Sequence, residues 1–93
     1  MWIRKMVTIK NKQGLHARPA AVFVRLANKF HSDIVVRRGR EEVNGKSIMG
    51  ILMLGCEKGS KVELSARGLD AERAVAELSE LLGKGLAELE KEK

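Results

Sequence analysis

The spacing of hydrophobic positions changes several times along the chain, and each change marks an element. From Lys5 to Lys10 apolar and polar residues alternate, with Val7 and Ile9 on one side, which is the two-residue repeat of a half-buried strand. Between 17 and 30 the repeat lengthens. Ala20, Phe23, Ala27 and Phe30 fall on one helical stripe, with Val24 and Leu26 at its edge. Pro19 lies in the first turn of this helix, where a missing N–H costs nothing. Alternation returns at 33–38, with Ile34 and Val36 inward, and in a short strand at 40–43 set off by Gly39 and Asn44-Gly45.

A short helix follows, with Ser47 as its N-cap and Gly55 at its end. It is too apolar to bury all its side chains. Ile51, Leu54 and part of Ile48 fit one face, which leaves Met49, Leu52 and Met53 partly exposed. Residues 60–67 alternate again, Val62, Leu64 and Ala66 inward and Lys61, Glu63 and Ser65 outward. Asp70 caps a last helix that carries Ala74, Val75, Leu78, Leu81 and Leu82 on one face. Gly83 and Gly85 weaken its continuation by about 1 kcal/mol each, so 86–93 are expected to form a frayed turn or tail.

The predicted order is β-α-β-β-α-β-α. Every strand alternates, so only one face of the sheet is buried, and three amphipathic helices can cover it. The expected fold class is α+β, a two-layer open-faced β-sandwich with a four-stranded antiparallel sheet. Thr8, Lys10, Val35, Arg37, Lys61, Glu63 and Ser65 are expected on the open face.

With 93 residues the chain is expected to form one domain over 1–93. A core of this size leaves little room for a deep substrate cavity. No apolar run approaches the ~20 residues that span a bilayer. The N-terminal residues lack the apolar segment of a signal peptide, and a single cysteine, Cys56, fits a reducing compartment. A cytoplasmic monomer without membrane insertion is expected. Charge is uneven: residues 1–46 hold 11 Lys and Arg against 3 Asp and Glu, net +8, while 47–93 hold 7 against 9, net −2. A basic half suits an acidic or phosphate-bearing partner. Nucleic acid is not expected. Trp2, Phe23 and Phe30 are the only aromatics, and both Phe lie on the inward stripe, so stacking platforms are lacking.

The chemistry concentrates in Gly14-Leu15-His16-Ala17-Arg18-Pro19-Ala20, where a turn meets a helix start. The leading N–H groups of a helix point outward at the positive end of its dipole, an anion site beside the His16 ring. Ala17 and Arg18 are the amide donors, Pro19 having none, and the Arg18 guanidinium can fork onto phosphate oxygens. Imidazole is a nucleophile able to carry a covalent group. Spacing alone leaves open a His16 that merely caps the helix. No nearby His, Asp or Glu suggests a metal site, and nothing in the pattern requires a cofactor.

Two segments, Gly14–Ala20 and Lys46-Ser47-Ile48-Met49-Gly50, together resemble the active-site and regulatory-serine signatures of the phosphocarrier HPr family of the phosphoenolpyruvate-dependent phosphotransferase system. The resemblance runs from about residue 5 to about residue 85. It implies a phosphoryl carrier rather than a free-standing enzyme. Enzyme I would pass a phosphoryl group to Nδ1 of His16, and His16 would pass it to EIIA proteins or domains in sugar uptake and its regulation. Arg18 and the amides of Ala17 and Arg18 would hold the group. Ala20, Ile48, Met49, Leu52 and Met53 would form the docking face. Ser47 corresponds to the serine that a kinase/phosphorylase modifies in some members. The alternative the resemblance carries is a nitrogen-branch carrier with a regulatory output.

Overall fold

The computed structural model describes residues 1–10 and 14–84. Seven elements follow in the predicted order: β1 (Ile3–Thr8), α1 (Ala17–Ala27), β2 (Asp33–Arg38), β3 (Glu41–Asn44), α2 (Ile48–Met53), β4 (Lys61–Arg67) and α3 (Ala71–Lys84). The strands form one antiparallel sheet in the order β1-β4-β2-β3. The fold class is therefore the expected α+β open sandwich.

The sheet order explains where the core sits. β4 lies between β1 and β2, pairing Val7 with Val62 on one side and Val36 with Leu64 on the other. These inward positions, with Ala66 and Ile34, meet Phe23 of α1, Ile51 of α2 and Leu78 and Leu82 of α3 in one buried cluster. Phe23 is fully buried, and truncating such a side chain to Ala costs about 3–5 kcal/mol.

Several boundaries differ from the periodicity, each for a physical reason. β1 begins two residues early because Ile3 pairs with Ala66. Lys5, which breaks the apolar pattern there, shares the helix-side phase of Ile3 and Val7, yet it stays exposed because β1 is an edge strand. Past the strand, Ile9 N–H donates to the Ser60 carbonyl at 2.8 Å and Lys10 N–H to that of Leu82 at 3.1 Å. The first helix stops at Ala27 instead of reaching 30. Asn28 ends it by donating its side-chain amide to the Val24 carbonyl at 2.9 Å. Phe30 still reaches the core, from the turn beyond. Ser65 lies on the open face as expected but is buried, its short side chain on the floor of a groove lined by Trp2, Arg4, Val35 and Arg37. Gly85 and the expected tail at 86–93 lie outside the described residues, as does most of the turn before Gly14.

Asp70 does more than begin α3. Its carbonyl accepts the Ala74 N–H at 2.9 Å, as an N-cap must. Its carboxylate reaches across to the entry of β2, accepting the Ser32 hydroxyl and the N–H groups of His31 at 2.9 Å and Ser32 at 3.0 Å. The Ser32 hydroxyl first, then the His31 amide, hold the carboxyl down at a pKa of about 2. His31 therefore lies beyond the end of α1, tied by its backbone to α3.

Candidate functional site

Helix α1 begins at His16, whose backbone is extended at the N-cap position and whose carbonyl accepts the Ala20 N–H at 2.8 Å. The side chain makes no capping hydrogen bond and is exposed. The ring is therefore not spent on closing the helix. The first turn of a helix points its N–H groups out of its end. Here Ala17 and Arg18 supply them. No acidic residue lies in the first turn of α1, so no carboxylate of that turn offsets the positive end of the dipole. Ala17 and Arg18 are exposed, whereas Pro19 and Ala20 are buried.

The burial of Ala20 corrects the docking set. A side chain with 0% exposure cannot touch a partner. Its methyl group packs inward because position 20 shares the stripe of Phe23 and Ala27. The remaining four residues do lie at the surface or near it: Met49 and Met53 are 64% and 75% exposed, Ile48 is at the margin, and Leu52 is half-buried against the core. α1 and α2 pack side by side, so these side chains flank the helix that carries His16.

Ser47 sits at the start of α2 and behaves differently from His16. Its Oγ accepts the Gly50 N–H at 3.1 Å, so the hydroxyl is the cap. A Cβ on Gly50 would press on Val43 of β3 and on the Ser47 hydroxyl, which is why the second helix needs glycine one turn in. The neighbouring Lys46 ammonium donates to the Phe30 carbonyl at 2.7 Å, joining the approach to α2 to the segment after α1.

The seat beneath His16 is formed by residues that periodicity did not single out. Gly14, with φ +72°, fits so closely to Cys56 that a Cβ there would overlap the Cys56 carbonyl. Leu15 N–H donates to that same carbonyl at 2.9 Å, and the Leu15 side chain is buried. Burial pushes the Cys56 thiol up in pKa, opposed by the nearby Arg38 cation. The only local signal for this contact was the glycine before Leu15. Among the described residues no cluster of His, Cys, Asp or Glu is arranged to hold a metal, and no helix is long and apolar enough to cross a membrane.

An exposed histidine without a capping bond thus stands at the positive end of a helix on an open-faced α+β sandwich. The family model described as "PTS HPr component phosphorylation site" matches residues 3–84. The HPr-like protein Crh of Bacillus subtilis is 42% identical over 77 residues, covering 83% of this chain and 91% of that protein. A crystal structure of HPr from Bacillus anthracis superposes with a TM-score of 0.85 at 43% identity, covering 87% of this chain and 96% of the other. One of HPr from Thermoanaerobacter tengcongensis, described as a dimer, gives 0.68 at 55% identity, covering 81% and 86%. The chain belongs to the HPr family of phosphocarriers of the phosphotransferase system.

Proposed function

We propose that this chain takes a phosphoryl group from phosphorylated Enzyme I onto Nδ1 of His16 and passes it to EIIA proteins or domains in sugar uptake and its regulation. The observation that carries this is the His16 ring itself, exposed and free of any capping bond at the leading end of α1. In the transfer the Nδ1 lone pair attacks phosphorus while the donor atom departs with the electrons of its old bond to phosphorus. The ring receives the group as neutral imidazole, with its proton on Nε2. The phosphoryl oxygens then face the α1 dipole and the amides of Ala17 and Arg18, with the Arg18 guanidinium within reach two residues on. The same interactions serve uptake and delivery, so the relay needs no separate pocket for a small molecule.

Docking is assigned to Ile48, Met49, Leu52 and Met53. Flexible, polarizable methionines suit a surface that accepts several partners in turn. Phosphorylation of Ser47 by a kinase would replace a capping hydroxyl with a dianion beside this patch, and so hinder docking. The carrier acts as a cytoplasmic monomer. The exposed Lys5 in the helix-side phase of edge strand β1 works against pairing with a second copy there.

Incubation with Enzyme I and phosphoenolpyruvate should add one acid-labile phosphoryl group, mapped to His16 by mass spectrometry under alkaline conditions. A wild-type chain that stays unmodified would overturn the proposal. Sedimentation at micromolar concentration tests the monomer.

A further inference from the structure

Arg38 ends β2 and lies outside both signature segments, yet its guanidinium reaches the chain that leads into Cys56. Nη1 donates to the carbonyl of Leu54 at 2.9 Å and to that of Gly55 at 3.1 Å. These carbonyls close α2, where the chain turns out of the helix at Gly55 with φ +60°. The last carbonyls of a helix have no N–H ahead of them within it, and a cation there also meets the negative end of the dipole. The next residue, Cys56, holds the Leu15 N–H. Leu15 is followed directly by His16. A continuous run of bonds thus leads from the end of β2, through the end of α2, to the acceptor.

We propose that Arg38 is a positioning residue for phosphoryl transfer: by fixing the Leu54 and Gly55 carbonyls it sets the Cys56 carbonyl on which the loop of His16 rests. This builds on the reading of His16 as the acceptor. The cation keeps the loop of His16 and the Met49/Met53 surface of α2 in one geometry, so a donor docked on the second finds the first in place. Gly14 leaves that loop little alternative, since it lies flush against the same carbonyl.

The test follows amide hydrogen exchange by NMR in the wild-type chain, Arg38→Ala and Arg38→Lys, together with transfer from phosphorylated Enzyme I. In Arg38→Ala the Leu15 amide should exchange about tenfold faster, the effect of losing charge-assisted bonds at a partly solvated site. The Leu64 amide in central β4 should not change. Transfer should slow several-fold, and Arg38→Lys, which keeps one charged donor, should recover most of both. Cys56 gives an independent sign. Losing the cation alone makes the thiol less reactive, whereas opening the loop exposes it, so faster alkylation by iodoacetamide in Arg38→Ala reports opening. Unchanged Leu15 exchange, equal acceleration at Leu15 and Leu64, or unchanged transfer would each overturn the proposal. A wild-type chain that accepts no phosphoryl group, with Leu15 responding as expected, would refute the acceptor reading and leave the coupling of Arg38 to Leu15 standing.

Discussion

Helices α1 and α2 lie side by side, and their first residues are used in opposite ways. Ser47 turns its hydroxyl back onto the Gly50 N–H and closes its own helix. His16 occupies the equivalent position on α1 and makes no such bond. A side chain that caps is committed to stability. One that leaves its helix uncapped keeps the positive end and its own lone pair for something outside the chain. On the proposed function, the contrast separates a residue that would carry the chemistry from one at which a modification would disturb structure.

The sharpest way to break this comparison is at His16. His16→Ala should lose phosphoryl acceptance entirely, yet shift the urea unfolding free energy by less than about 0.5 kcal/mol, because an exposed side chain without a capping bond holds nothing together. A large loss of stability would mean that the ring is structural after all. Arg18→Ala should slow transfer about 10²-fold, the scale for removing one donor that stabilises transferring charge, as read by quenched-flow phosphorylation. Ser47→Ala should reverse the pattern of His16→Ala. It costs about 1 kcal/mol of stability, the usual worth of an N-cap, and leaves transfer intact. Ser47→Asp should keep much of the stability but weaken transfer by placing charge beside Met49.

The third helix start sharpens the comparison through pH. The Asp70 carboxyl is held at about 2 in the fold against 3.8 for the ordinary group. A lowered native pKa means that its contribution is fully present above about 3.8 and fades as pH falls toward about 2. Thermal melts of the wild-type chain and Asp70→Asn should therefore differ at neutral pH and converge across that acidic window. Convergence at higher pH would place the tie elsewhere.

The alternating strands were legible because the sheet has one buried face, and a two-residue period fixes which side chains point there. β2 falls at 33–38 as its pattern predicts, and β4 differs by one residue. Legibility failed where two elements far apart in sequence decide the outcome. Ile3 joins β1 only because Ala66 is there to receive it. Phe30 continues the helical stripe in sequence but reaches the core from a turn. Ala20 entered the docking face through the family resemblance, yet the same stripe that carries Phe23 turns it inward. The helix start at His16 was legible because its signals are local, Pro19 in the first turn and the apolar stripe that follows. The bonds of Leu15 to Cys56 and of Arg38 to Leu54 and Gly55 were not, because backbone carbonyls leave no mark in side-chain periodicity.

Trp2, the chain's one tryptophan, stands on the open face of the sheet, its ring 4.8 Å from the Arg67 guanidinium. The helices and the His16 tip lie on the other side of the sheet. Indole emission is therefore a built-in optical gauge of whether the β1–β4 edge is intact. It should respond to denaturant while staying nearly constant as a donor protein is titrated onto the helical side, so folding and encounter can be followed on separate channels in one unlabelled sample.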